Sequence, residues 1–174
     1  WYGTDCGVSR FDGYTFNNYD IQSGLAASNV SEIFEDKNGK IWVASIDGKI
    51  SYYENSRFYP YRFNDKISNK LSSGYRLMVK NSLYVDSLNN LYISMIAKGI
   101  YKISPQGILS HVEKNDCFKS IIIEKQANGK LLTGYLSRNE ILYFCINNKR
   151  IQSKFNKVYL GPSLLFVAKG NEND

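Results

Sequence analysis

Four segments of this sequence align on one another, at intervals that Trp1, Trp42, Tyr92 and Leu132 mark as 41, 50 and 40 residues. A repeat constrains the fold more tightly than any composition does, because each copy is one supersecondary unit that must bury its apolar face against its neighbours. The clearest copy runs from Val30 to Phe63. Val30, Ile33 and Phe34 predict a first strand, and Asp36-Lys37-Asn38-Gly39 follows with Asn-Gly, the strongest short hairpin signal, since both residues tolerate positive φ. Ile41 to Ser45 reads as a second strand, Asp47-Gly48 as a turn, Ile50 to Glu54 as a third strand, Asn55-Ser56 as a tight turn, and Phe58 to Phe63 as a fourth strand. The unit is a four-stranded meander.

The first segment, Trp1 to Tyr19, matches the later part of that unit. Trp1 falls on Trp42, Gly7 on Gly48, Phe11 on Tyr53, Phe16 on Phe58 and Tyr19 on Tyr61, so this copy lacks its first strand. In the third segment Asp86 falls on Asp36, Asn89 on Gly39, Tyr92 on Trp42 and Ile100 on Ile50. In the fourth, Asn128-Gly129-Lys130 falls on Asn38-Gly39-Lys40; Ile151 to Tyr159 serves as its outer strand, and Ser163 to Ala168 as an inner strand beyond it.

Four-stranded units of about this length stack radially into a propeller. The expected fold class is therefore all-β, a β-propeller fragment of about four four-stranded antiparallel blades. Residues 1–23 form a partial blade, 24–74, 75–116 and 117–160 form blades, and 161–174 start the next blade or form a tail. Propellers close with roughly four to eight blades, so an open arc of a larger ring is expected, with a blade face and strand edges left bare.

Composition agrees. Aromatic residues make up 14%, with fourteen Tyr and nine Phe against three Pro, and such side chains suit a pleated, half-buried surface. No apolar run approaches the roughly 18 residues that cross a bilayer. The chain opens on Trp1 inside a repeat, without an initiator Met or leader pattern, and reads as a segment of something longer. The net charge of +6 is modest beside that of nucleic-acid binders, so no nucleic-acid partner is expected. Arg57, Arg62, Lys66, Lys70, Arg76 and Lys80 nevertheless lie in one stretch with Asp65 as its only acid, which makes that stretch the side on which an anionic ligand would bind. Cys6, Cys117 and Cys145 are far apart and form no Cys-x-x-Cys pair; buried free thiols are expected, although one disulfide would be possible in an oxidising compartment. Neither metal nor cofactor is expected.

Gly24-Leu25, Asn29, Val30, Ile33, Asp36, Gly39, Ile41-Trp42-Val43 and Gly48, with Trp1-Tyr2-Gly3-Thr4, Gly7-Val8, Arg10-Phe11-Asp12-Gly13 and Phe16-Asn17-Asn18-Tyr19 supplying the complementary half, together resemble the two-component regulator propeller repeat. The pattern is specific over residues 1–63 and decays afterwards, where Asn90-Leu91 replaces the Gly-x-Leu step and Leu132 replaces the Trp. The resemblance implies a seven-bladed propeller in the periplasmic sensor region of a bacterial hybrid histidine kinase of Bacteroides type, anchored elsewhere by one membrane helix. It implies an oligosaccharide ligand, a homodimeric parent, and no catalysis or membrane contact by this segment.

Asp36, Gly39 and Trp42 read as architectural on physical grounds. The carboxylate caps a hairpin, the glycine supplies positive φ, and the indole fills the layer between blades. No G-x-S-x-G, H-E-x-x-H or glycine-rich phosphate loop occurs, and the single His111 reads as solvated or packed. Two rival readings stand beside the sensor. Asp36-x-x-Gly39-x-x-Trp42 resembles the Asp-box hairpin of sialidase-like propellers, but a glycosidase needs paired catalytic groups facing one pocket, and the acids Asp12, Glu35, Asp36 and Asp47 fall mostly in turns. A scaffold propeller would bind another protein through its rim. A small ligand would meet the loops between second and third strands and between units, where Tyr75, Arg76, Lys98, Tyr135 and Arg138 combine stacking surface with bidentate donors. The bland reading of those five is exposed loop residues without a ligand.

Overall fold

The computed structural model describes residues 1–70, 82–95, 99–113, 119–125, 131–136, 142–146 and 149–152, with side chains described no further than Val112. Among the described residues the strands form four separate antiparallel sheets, each a meander in chain order. The first holds β1 (Tyr2–Thr4), β2 (Gly7–Phe11) and β3 (Phe16–Tyr19); the second holds β4 (Val30–Glu35), β5 (Ile41–Ser45), β6 (Ile50–Glu54) and β7 (Arg57–Pro60). After a short helix, α1 (Asn64–Lys70), come β8 (Leu83–Val85), β9 (Leu91–Met95), β10 (Gly99–Ile103) and β11 (Leu109–Glu113). The fourth sheet is β12 (Lys119–Lys125), β13 (Leu131–Leu136), β14 (Leu142–Ile146) and β15 (Lys149–Gln152). β1 packs on β4, β4 on β8, and β9 and β10 on β12, so the sheets stack face to face in sequence order as propeller blades do.

Between the first two blades Val8, Leu25, Val43 and Phe58 are buried, with Trp1, Tyr19, Val30, Ile33 and Tyr53 packed around them. The Trp1 ring meets Tyr53 edge-on at 4.8 Å and Phe58 at 5.9 Å. Between the second and third blades Trp42, Ala44, Ile50, Tyr61 and Ile67 meet Leu83, Val85, Leu91, Ile93, Tyr101 and Ile103. Alternation along each strand sends one set of side chains into each layer, and each fully buried Ile or Phe contributes roughly 2 kcal/mol. Gly24, on the crossover into the second blade, has φ 100, and a Cβ there would lie 2.1 Å from the Phe58 carbonyl oxygen. Only glycine fits that close approach.

Four local details differ from the sequence reading. The Asp36–Lys40 loop is left-handed only at Gly39 (φ 77), with Gly39 N–H donating to Asp36 O at 3.0 Å and Asp36 N–H to Lys40 O at 3.0 Å. It is thus a longer loop closed by one left-handed residue, not a two-residue Asn-Gly turn. In the third blade Asn89 holds the same place with φ 58, whereas Asn55 and Ser56 (φ 49 and 63) do form a two-residue mirror-image turn. Gly7 pairs with Thr4, the place that Lys49 rather than Gly48 takes opposite Ser45, because the first blade's turn is shorter. The fourth strand of the second blade ends at Pro60, and α1 follows where strand was expected as far as Phe63. There the Asn64 side chain pairs with Ile50, accepting its N–H at 2.9 Å and donating to its carbonyl at 2.9 Å, while Ile67 is fully buried. The Ile50 carbonyl also accepts the Tyr61 N–H at 2.8 Å, so a side-chain amide joins the chain beyond β7 as the partner of β6 there. Of the expected outer strand from Ile151 to Tyr159, the described part is β15, shifted to Lys149–Gln152; Gly129 and residues 153–174, with Ser163 to Ala168, lie outside the described residues.

Candidate functional site

Two hairpins show how the repeat spends its carboxylates. Asp36 is buried; its Oδ1 accepts the backbone N–H groups of Asn38 (2.8 Å) and Lys40 (3.1 Å), and its Oδ2 accepts the Trp42 Nε1–H at 2.9 Å. Asp86 does the same work in the third blade, accepting from Leu88 N–H, Asn90 N–H, the Asn90 amide and, at 3.2 Å, the Tyr92 hydroxyl. Burial, then the nearby Asp86 charge, pushes the Tyr92 phenol up to about 12. Turn capping was legible in the sequence; the bond from each hairpin carboxylate to the aromatic residue six positions on was not.

Glu32 on β4 is a buried acid that sequence reasoning missed. Its carboxylate accepts the Ser82 N–H at 3.0 Å and the Ser82 hydroxyl at 2.6 Å, tying the inner strand of the second blade to the third. Its neighbours on the same strand, Val30, Ser31 and Ile33, join Trp1, Tyr2 and Gly3 of the first blade in lining an open cavity of about 440 Å³. Only the separation of 50 residues between Glu32 and Ser82, one repeat interval, hinted that like positions of successive units meet.

Of the basic stretch beginning at Arg57, Arg57, Arg62 and Lys66 make contacts within the fold. Arg62 donates from Nη2 to the Pro105 carbonyl and Lys66 from Nζ to the Gly107 carbonyl at 2.7 Å. Both lie over the Phe63 ring, at 4.5 and 5.1 Å, while Arg57 lies 4.8 Å over Tyr59. Arg62 and Lys66 therefore latch the region around α1 to the β10–β11 turn of the next blade. Tyr75, Arg76, Lys98 and Arg138 lie outside the described residues, as does Lys80. Tyr135 was expected in a loop but sits inside β13, its backbone paired opposite Ser120 and Tyr143, with its side chain outside the described set.

Other candidates resolve simply. His111 on β11 stacks flat on Tyr101, 4.2 Å between centroids. Cys6 is exposed in the β1–β2 turn, not buried as expected, because a two-residue turn at the sheet's end leaves its side chain nowhere to go but solvent. Backbone hydrogen bonds from Thr15 and Tyr14 hold the exposed Asp12 carboxyl down at about 2. Among the described residues no three His, Cys, Asp or Glu side chains gather as a metal site would require, and no helix is long and apolar enough to cross a membrane.

Residues 24–47 match the family model described as two component regulator propeller. Over that stretch the chain is similar to the two component regulator propeller repeat. That match spans the Gly24 crossover, β4, the Asp36 hairpin and β5, so the repeat's pattern and its hydrogen-bonded hairpin coincide. Among curated proteins, no sequence matches the chain. Among solved structures, the chain is similar to the extracellular domain of a putative one component system from B. thetaiotaomicron, with a TM-score of 0.56 and 18% identity over 87% of this chain. The chain spans 20% of that structure's length. At that identity the likeness is one of fold.

Proposed function

We propose that this chain is a segment of an extracytoplasmic ligand-sensing propeller belonging to a two-component sensor. The observation that carries the reading is the two component regulator propeller repeat at residues 24–47, set in blades whose buried carboxylates are spent on architecture. The similar extracellular domain of a putative one component system supports an extracytoplasmic, and in this proposal periplasmic, location. The proposed ligand is an oligosaccharide. The residues proposed to meet it are Tyr75, Arg76, Lys98 and Arg138, a tyrosine to stack on a sugar ring and guanidinium groups to grip hydroxyls or carboxylates.

In this reading the segment itself is non-catalytic, and phosphotransfer belongs to a histidine kinase elsewhere in a homodimeric parent. The ligand acts by binding one arrangement of the sensor more tightly than the other, since only differential affinity shifts such an equilibrium. Isothermal calorimetry with a panel of neutral and acidic oligosaccharides tests this, on the chain as it stands and on a version extended to whole blades. Heat of binding from the extended form, lost on Tyr75→Ala or Arg76→Ala, is the expected result. Silence from both forms in folded samples would overturn the oligosaccharide reading and turn attention to a protein partner at the rim.

A further inference from the structure

Phe63 lies just beyond the last strand of the second blade and carries two cations on one ring. The Arg62 guanidinium is 4.5 Å from the ring centroid and the Lys66 Nζ is 5.1 Å from it. Among the described residues Arg10, Lys40, Arg57 and Lys102 each lie over a ring of their own, on Trp1, Tyr52, Tyr59 and Tyr92. The ring beneath the pair is fixed from two sides. Tyr61 meets it edge-on at 5.5 Å, and Gly107 of the β10–β11 turn approaches so closely that a Cβ there would lie 2.4 Å from Phe63 Cε1 and 3.0 Å from Lys66 Nζ.

Among the described residues, these two charges are brought together without an acid between them. Arg62 Nη2 donates to the Pro105 carbonyl and Lys66 Nζ to the Gly107 carbonyl at 2.7 Å, and both acceptors are neutral. The ion pairs among the described residues join Lys40 to Glu54 and Lys49 to Asp47; Asp65, beside Lys66 in the chain, pairs with neither cation. Like charges so placed repel one another, and the carbonyl and ring contacts hold them against that repulsion. Both side chains are exposed, and each uses one donor on a carbonyl where a guanidinium has five N–H groups and an ammonium three.

Charge and oxygen count decide which anion suits such a pair. The single charge and two oxygens of a carboxylate are matched by the guanidinium fork alone, which leaves the ammonium beside it uncompensated. A tetrahedral oxyanion with two charges offers oxygens to both heads and charge for both. The fork then sets its orientation, and the ammonium acts as a point charge. Because the Phe63 ring is already fixed by Tyr61 and Gly107, little ordering remains to be done when the anion arrives.

We infer that Arg62 and Lys66, set over Phe63 against the β10–β11 turn, form a binding site for a doubly charged tetrahedral oxyanion: a free phosphate or sulfate ion, or the phosphate group of a monoester. The site joins the second blade's trailing segment to the third blade and uses none of the residues proposed for the oligosaccharide, so neither reading rests on the other. An anion there draws on the same two heads that bond the Pro105 and Gly107 carbonyls, so its binding is felt at the turn.

The test titrates the full chain, at constant ionic strength, with inorganic sulfate, inorganic phosphate, glucose 6-phosphate and acetate. Calorimetric heat is read together with the backbone amide resonances of Arg62 to Ile67 and Gln106 to Ile108. Saturable binding of the dianions is expected, with resonance shifts in both segments and with acetate bound about tenfold more weakly. Arg62→Gln and Lys66→Gln should each weaken dianion binding about tenfold, the loss of one charge-assisted contact. Arg57→Gln, which removes a cation of the same stretch that lies over Tyr59, should leave it within about twofold. Circular dichroism checks that the variants are folded, and the shifts of the unsubstituted chain locate the site without them. Tighter binding of glucose 6-phosphate than of the free ions supports the site with a monoester as its ligand, and the reverse order supports it with the free ion. No saturable binding of any dianion, equal binding of acetate, equal weakening by Arg57→Gln, or shifts confined to other segments would overturn the inference. So would dianion binding that survives both Arg62→Gln and Lys66→Gln, which would mark an adventitious ion only.

Discussion

Replacing the same carboxylate by an amide in two equivalent hairpins should have unequal costs, because the aromatic partner differs. In Asp36→Asn the amide oxygen can still accept the N–H groups of Asn38 and Lys40, but the NH₂ group then faces the Trp42 indole N–H. An indole nitrogen only donates, so a buried donor loses its acceptor, at about 1 to 3 kcal/mol, and the turn bonds lose their charge assistance as well. The expected total is about 3 kcal/mol. In Asp86→Asn the NH₂ group faces the Tyr92 hydroxyl, which can rotate and accept, and the Asn90 amide can turn over to do likewise. There the cost should be about 1 kcal/mol, the scale of one weakened hydrogen bond. For a chain of this size each kcal/mol shifts Tm by roughly 2 to 4 °C, so Asp36→Asn should melt about 4 to 8 °C below Asp86→Asn. Scanning calorimetry at neutral pH gives the comparison, and adding Trp42→Phe to each background isolates the indole term. Equal losses in Tm, or a larger loss at Asp86, would refute the assignment of the extra cost to the orphaned indole.

Other outcomes follow from the same geometry. Gly24→Ala should destabilise by about 3 kcal/mol or more, through left-handed strain plus collision with the Phe58 carbonyl, whereas Gly13→Ala, at φ 104 with nothing within 4 Å, should cost about 1 to 2 kcal/mol; urea midpoints distinguish them. Glu32→Ala leaves the buried Ser82 N–H without that acceptor and should cost about 2 kcal/mol, with faster hydrogen exchange at Ser82 and across the β4–β8 contact. Burial raises both the Tyr61 and the Tyr92 phenols to about 12. A pKa raised in the folded state contributes stability that is intact below the unfolded value near 10 and is lost as pH climbs toward 12. Alkaline unfolding should therefore set in across that window, and Tyr61→Phe with Tyr92→Phe should flatten it, as read by circular dichroism against the phenolate absorbance.

The strands, their order and most turns are local properties, and so the sequence alone determined them. The short runs Ile41 to Ser45 and Ile50 to Glu54 between turn residues and a left-handed Gly39 were readable because neighbours within a few residues decide them. The repeat then implied stacking, since each blade shows an apolar face it cannot bury alone. Tertiary structure decided what depends on meetings between distant positions. Asn64 meets Ile50, and Ile67 enters the layer between blades, where the chain turns into α1 after Tyr61, and Arg62 and Lys66 become a latch only where the β10–β11 turn offers them carbonyls. Glu32 is a surface acid by strand alternation until Ser82 comes within hydrogen-bonding distance. A polar side chain's worth is set by what desolvates it and what pairs with it, and both belong to the stacked blades rather than to its neighbours in the chain.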